Sequence, residues 1–539
     1  MTRIPLTLAL LTLLPASALA QNTWFVPDDF STIQAGIDGA QNGDTVVVRD
    51  GAYIENLNFN GKIITLVSEN GPSNATIDGS AAGSVITFDS GEPAATVLDG
   101  FTITNGKKRQ GGGVSCWNTA EPTITNCIFD ANVANKDGGG IWIQTGGLSP
   151  VIENCYFINN AAERGGAIFA GPNITASFDN CLIQSNSASF SGGGLHSYQN
   201  RSVYTDCIFK SNNTPVGSFG LGGGIYLEYG RDSFYNCTIE DNYSDADGGG
   251  IAVTSYFTQP VNFYNCLIKN NVSINGSGGG IYCLNTAKRV AAYNCVFTGN
   301  KALLGGGGGF CADGTSKPQL TNCTLTNNEA MEGGAIYNGM AAQAIISNSI
   351  AWDNIATANN EIFDGVVGTI IATYNNIAGG FPGTGNIDAD PLFVDAANGD
   401  FNLLSTSPCI DAGDPGSDSD PDGTVSDMGA FYFDQGGSPT LSVSNLIAGQ
   451  AVLVEVTNAT PNNFSHFAWS VHGGGPITTP WGDAMVTPPY HLNLLQTDVN
   501  GYASYTANIP LHAAGVTVWC HGTDVGTQSM LNALMLVIQ

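Results

Sequence analysis

Apolar residues recur along the middle of this chain in paired short runs, one pair every 26 to 30 residues, and each pair brackets the same polar dipeptide. The dipeptide is Asn-Cys at Asn126-Cys127, Asn154-Cys155, Asn180-Cys181, Asn236-Cys237, Asn265-Cys266, Asn294-Cys295 and Asn322-Cys323, with Asp206-Cys207 and Asn348-Ser349 as variants. Two residues before each dipeptide stands a mostly apolar position, from Ile124, Ile152 and Phe178 through to Ile346. Two residues after each Cys stands another, from Phe129, Phe157 and Ile183 through to Ala351. Side chains alternate faces along a strand, so the Cys shares a face with the second column while the first column has the opposite parity. A one-residue corner at Asn returns both columns to one interior. Asn is the non-glycine residue that best accepts the left-handed backbone such a corner requires.

A second Asn follows six residues after each corner, from Asn132 to Asn354. Then come a glycine pair or triple and a third apolar run, such as residues 141–144. The pattern predicts an all-β solenoid of three-strand coils, about 28 residues each. Coils stacked at about 4.8 Å place like over like, which turns the asparagines into ladders of amide hydrogen bonds. Asp99 and Asn105 keep the six-residue offset upstream, and Tyr374-Asn375-Asn376-Ile377 reads as a degenerate coil downstream. Ile33 and Ile37 lie near helical spacing in segment 31–40 after a Ser31 N-cap candidate, predicting a short helix over the open end of the stack.

These motifs resemble the pectate-lyase-like superfamily of right-handed parallel β-helices over residues 24–435. Thr32-Ile33-Gln34 followed by Gly43-Asp44-Thr45-Val46 is similar to the opening of many bacterial members. The residues Phe157 to Asn160, with Gly165-Gly166-Ala167-Ile168, resemble the repeats of chlamydial polymorphic membrane proteins. Asp390-Pro391-Leu392-Phe393, Ser407-Pro408-Cys409-Ile410-Asp411-Ala412-Gly413 and Asp427-Met428-Gly429-Ala430 resemble the closing segment of secreted bacterial β-helices. The resemblance implies a right-handed helix with a C-terminal cap. It implies no single activity, because the fold hosts lyases, hydrolases, esterases, adhesins and inert spikes.

Beyond a linker at Gly436-Gly437-Ser438-Pro439 the period stays near two, as in Ala451-Val452-Leu453-Val454-Glu455-Val456, with turn signals such as Asn500-Gly501. The expected organisation is therefore a leader (1–20), a β-helix with an N-terminal cap helix and an acidic C-terminal cap (21–435), and an antiparallel β-sandwich (436–539). Trp469, Trp481 and Trp519 read as core of that last domain, with sugar contact as the other reading. The leader rests on Arg3, an apolar stretch at 6–14 and Ala18-Leu19-Ala20, and predicts export as a secreted or cell-surface protein. Its apolar stretch is too short to cross a bilayer, which takes about 20 residues.

Sixteen basic residues against 45 acidic ones give a net charge of −29. Nucleic acid is excluded as an expected partner, since phosphate binding needs Lys and Arg clusters. Of 13 cysteines, eight fall in the ladder. In-register parallel side chains point the same way, so these read as buried free thiols rather than disulfides.

Two places offer candidate chemistry. The outward positions of the third strands form a stripe in which Trp142, Phe169, His196, Tyr226, Tyr282 and Tyr337 are the aromatic or imidazole members, able to stack sugar rings. The acids near it (Asp137, Glu163, Asp247, Glu332) do not form a register-matched pair, and Arg164 stands opposite Asp137. The sharpest local motif is Asp418-Ser419-Asp420-Pro421-Asp422-Gly423 followed by Asp427, whose alternate carboxylates suit a structural Ca²⁺. Its twelfth position is Gly429 rather than Glu, so it is not a full EF-hand loop. The favoured function is a non-catalytic extracellular β-helix, surface-associated or in a matrix, that binds a polysaccharide or another surface. The alternatives are a polysaccharide lyase or glycoside hydrolase, and a self-assembling structural spike.

Overall fold

A computed structural model describes residues 21–144, 149–254, 260–285, 290–365, 368–433, 439–460, 462–479, 482–498, 502–526 and 529–539. The expected leader, linker residues 436–438, Trp481 and the Asn500-Gly501 turn lie outside these residues. The chain forms two compact units, 1–391 with Met428–Phe431, and Leu392–Asp427 with Tyr432–Gln539.

The first unit is a parallel β-solenoid. Sheet 1 has 14 strands, from Thr23–Val26 to Thr369–Thr373; sheet 2 has 13, from Gly51–Ile54 to Asn376–Ile377; sheet 3 has 12, from Leu57–Asn58 to Ile362–Asp364. One coil shows how the sequence pattern works. Thr123–Thr125 lies in sheet 1, Asn126 turns the corner at φ 51°, and Ile128–Asp130 lies in sheet 2. All nine corner residues adopt positive φ, between 48° and 53° at Asn348, Asp206 and Asn294 and no higher than 54° at Asn265. The two apolar columns flanking them are 0–4% exposed, so the corner does put both parities inside. Like stacks on like: Phe129 and Phe157 lie 4.4 Å apart at 9°, and Phe178, Tyr204, Phe234 and Phe263 form a continuous stack.

A second left-handed corner precedes each inner Asn, for example Ala131 (55°) before Asn132 and Asn159 (57°) before Asn160. The inner Asn then turns inward. Asn271 donates to Ile239 O (2.8 Å) and Asn300 Oδ1 (2.9 Å), while its Oδ1 accepts from the Asn242 backbone N–H and Nδ2. The same motif repeats from Asn132 to Asn354, all 3% exposed or less. A short fourth strand follows, gathered into a four-stranded sheet early in the solenoid and a five-stranded one later. The glycine runs then bring successive coils together: a Cβ on Gly166 would sit 2.2 Å from Gly193 O.

Two details differ from the sequence pattern. Thr32, not Ser31, caps helix α1 (Ile33–Gly39), its hydroxyl accepting from the Ala35 N–H. Glu55 satisfies the next free amides, at Ile33 and Gln34. Upstream, Asp99 pairs with Thr125, and Gly100 (φ 81°) takes the corner instead, because glycine reaches that backbone at no steric cost. At the other end the degenerate coil does stack, with Tyr374 (φ 56°) as corner and Asn375 in the thiol column, accepting from Ser349 N–H.

The second unit contains antiparallel sheets of three, five and two strands, besides the pair Phe393–Asp395 and Asp400–Leu403. Ala451–Thr457 alternates buried and half-buried residues, and Val454 and Val456 share a core with Phe467 and Val518. Trp469 is half-buried against that core and stacks on His491 at 4.3 Å. All 13 cysteines are free and buried. Each ladder Sγ points at the carbonyl two residues back, at 3.2–3.4 Å.

Candidate functional site

The third strands place the expected stripe in one unbroken register: Ser115, Trp142, Phe169, His196, Tyr226, Ala252, Tyr282, Cys311, Tyr337 and then Phe363. The expected openness is absent. Trp142 is 9% exposed, Tyr226 8%, Tyr282 7%, Phe169 3% and His196 0%. At Phe169 and His196 the cause is local: the residue just ahead of the glycine run lies against the ring. The Arg164 guanidinium lies over Phe169, 5.0 Å from its centroid, and Ser191 Oγ is 2.7 Å from His196 Nδ1. Only towards the end of the stripe does the cover thin, where Tyr337 and Phe363 stack at 4.9 Å and are half-buried.

His196 has a serine on one nitrogen and, 3.4 Å from the other, Glu228 Oε2. The residue types are those of a nucleophile, base and acid. Ser191 and His196 are nonetheless both fully buried, so no substrate reaches the hydroxyl. Burial pushes the imidazole pKa below its ordinary value, against the opposing effect of Glu228. Beside it Arg164 donates to Asp137 Oδ1 at 2.7 Å, and Gln110 donates to Asp137 Oδ2. Asp137 is buried while the Arg164 side chain is 31% exposed, so only the carboxylate end of this pair is interior.

The open face lies on sheet 1. Its outward column runs Glu153, Asp179, Thr205, Tyr235, Tyr264, Tyr293, Thr321. Tyr235 stacks on Tyr264 at 4.9 Å and 7°, and Tyr264 on Tyr293 at 5.1 Å and 11°. Tyr235 is 38% exposed, and the other two are half-buried. Rings stacked on one another show edges and hydroxyls outward. Beside them the corner amides form their own exposed ladder, Asn294 donating to Asn265 and Asn265 to Asn236. This face lies apart from the third-strand stripe, and its signal in the sequence is Tyr-Asn-Cys in three successive repeats, at 235–237, 264–266 and 293–295. Two coils from Tyr235 in the same column, Asp179 has its pKa raised by burial and by Asp206.

The acidic loop uses its carboxylates on its own backbone. Asp420 Oδ2 accepts from Asp427 N–H, and Asp427 accepts from Asp411 N–H and Phe433 N–H. Asp422 accepts from the Thr424 amide and hydroxyl, while Asp418 points to solvent. Burial, with the neighbouring acids, pushes Asp420 up to about 6. Among the described residues no group of three or more His, Cys, Asp or Glu is arranged to hold a metal.

The family model for the "right handed beta helix region" matches residues 34–190 and 171–309, together just over half the chain. A metabotropic glutamate receptor-like protein R from Dictyostelium discoideum is 30% identical over an alignment of 167 residues, covering 26% of this chain and 10% of that protein. The chain therefore spans about a tenth of the length of this curated relative. Among solved structures, the enzymatically active domain of tailspike protein 4 from bacteriophage CBA120 aligns over 92% of this chain and 64% of that one, at 14% identity and a TM-score of 0.26. No helix among the described residues is long and apolar enough to cross a membrane.

Proposed function

On the premise that this chain belongs to the right-handed β-helix family, we propose that it is an extracellular binding rod that holds a polysaccharide or matrix surface on the outer face of sheet 1 without cleaving it. The observation that carries this reading is the Tyr235–Tyr264–Tyr293 ladder with its flanking Asn corners. It offers hydroxyls and amides at a fixed pitch of about one coil, on a scaffold whose side chains are already ordered by stacking. Little further entropy is lost on binding, so weak polar contacts to sugar hydroxyls add up along the face. Export is supported by the leader pattern in residues 1–20.

The test is retention of the full chain on immobilised neutral and acidic polysaccharides. The triple variant Tyr235→Ala, Tyr264→Ala, Tyr293→Ala should lose retention at least tenfold, while Glu163→Gln, on the other side of the solenoid, should not change it. Binding indifferent to the tyrosines, or no binding to any polysaccharide, overturns the reading. One observation favours a hydrolase instead: Glu153 is in register with Asp179 on this same face. Carboxylates one coil apart, about 4.8 Å, are near the separation retaining glycosidases use. New reducing ends that disappear in Glu153→Gln would establish that alternative.

A further inference from the structure

The two coils that lead into Thr205 and Tyr235 carry an arginine each. Arg201 precedes the strand Val203–Thr205 and Arg231 precedes Ser233–Tyr235. Burial alternates strictly here: Ser202, Tyr204, Asp232 and Phe234 are buried, while Arg201, Val203, Arg231 and Tyr235 are exposed or half-exposed. Both arginines therefore share the outward parity of the tyrosine column. Four residues of strand separate Arg231 from Tyr235, about 13 Å. The backbone joins the two turns directly, Arg231 N–H donating to Asn200 O.

Around the arginines lies a recess of about 130 Å³ lined by Asn173, Gln199, Asn200, Arg201, Tyr229 and Arg231. Among the described residues Arg201 and Arg231 have no carboxylate within 4 Å, which is also true of Lys62, Lys107, Lys108, Arg109 and Lys317; here two such cations line one recess. The nearest acid in sequence, Asp232, faces inward and accepts from Ser197 Oγ and the Ser202 N–H. Asn200 lines the recess and is 1% exposed. Its Oδ1 accepts from the Arg201 N–H and the Ser202 hydroxyl, which fixes the amide and leaves Nδ2 buried with no protein partner.

We infer that this recess is an anion site that takes the carboxylate or sulfate group of an acidic polysaccharide whose chain continues towards Tyr235. Two guanidiniums one coil apart present planar donor forks suited to either oxyanion. The inference rests on the proposed glycan-binding face and names its substrate class. With a net charge of −29 the molecule as a whole repels polyanions, so retention of one requires a local site of this kind.

The test uses the full chain and three immobilised polymers: polygalacturonate, dextran sulfate and unmodified dextran. Wild type should bind one or both of the acidic polymers, which distinguishes carboxylate from sulfate, and should release them as NaCl rises. Arg201→Gln with Arg231→Gln should weaken that binding by about a hundredfold, taking about tenfold per charge-assisted contact. The single Arg201→Gln, at an exposed position, serves if the double variant does not fold. Neutralising the exposed Lys107, Lys108 and Arg109 should leave binding unchanged. Acidic-polymer binding that survives loss of both arginines, or is lost only with residues 107–109, overturns the anion site and leaves the glycan-binding face standing. Equal binding to dextran does the same. If wild type binds none of the three polymers, the glycan-binding reading fails, and titration with sulfate and with galacturonate decides the site separately: no heat in wild type overturns it as well.

Discussion

At the scale of single residues, the two asparagines of each coil do different work. The corner Asn265 is exposed and supplies a backbone conformation, whereas Asn271 is buried and closes four hydrogen bonds between three coils. Replacing Asn265 by Gly keeps the conformation and should cost a few tenths of a kcal/mol; Asn265→Ala should cost about 1–2 kcal/mol. Asn271→Ala strands buried donors and acceptors on Asn242, Ile239 and Asn300, and should cost about 3 kcal/mol or more. Thermal midpoints of the three variants check the order. Buried acids give the second prediction at this scale. Burial pushes Asp232 and Glu361 each up to about 7, well above an unfolded carboxyl near 4. Between those values the folded chain holds protons that the unfolded chain releases, so their contribution is full below about pH 4 and is lost as pH rises through 7. The midpoint should therefore fall from pH 5 to pH 7.5, and Asp232→Asn should flatten the slope. A midpoint that rises over this range contradicts the assignment.

At the scale of elements, the coil is held by what glycine lacks. A Cβ on Gly166 meets the Gly193 carbonyl at 2.2 Å and Ser187 O at 2.6 Å, both backbone, so neither can swing away. Gly166→Ala should pry two coils apart and prevent folding of the solenoid, read as loss of soluble protein or a collapse in midpoint. Gly217→Ala, at φ 86° with open space around it, should cost only about 1 kcal/mol. The same coil shows what is legible in sequence. The Asn corner, the Cys column and both apolar columns can be read because stacking repeats one residue type at one position. The second corner cannot, because its positive φ is met by Ala131, Ser185, Asp241 or Gly299 alike. The stripe on sheet 3 is legible in register and not in exposure. At Phe169 and His196 its cover comes from Arg164 and Ser191, which share a position without sharing a chemistry. The sheet 1 face was readable from Tyr-Asn-Cys; the Arg201–Arg231 recess was not, since nothing in sequence shows which loop cations lack an acid beside them.

At the scale of the whole molecule, the thiols report which parts unfold together. Eleven cysteines lie in the solenoid unit, from Cys116 to Cys323, and two, Cys409 and Cys520, lie in the other. None is accessible: Cys409 is 0% and Cys520 2% exposed, and burial pushes Cys520 up to about 12 and Cys155 and Cys295 well above the ordinary thiol value. A thiol reagent needs the thiolate in reach, so the native protein should react at none of the thirteen. Denatured without reductant, it should show all thirteen; a smaller number means that bridges form and that the ladder is not a column of free thiols. The two units have separate cores, one running from Val26 to Ile377 and one from Leu441 to Ile538. In the first, each coil is stabilised by its neighbours, so opening it anywhere exposes further coils and favours loss of the column as a whole. The second core is built from its own residues and includes Cys520. Labelling at increasing denaturant, followed by mass spectrometry, should therefore give an eleven-thiol step and a step for Cys520 at different midpoints. A single thirteen-thiol step would mean that the two cores melt as one, and the solenoid would then draw stability from the second unit rather than from stacking alone.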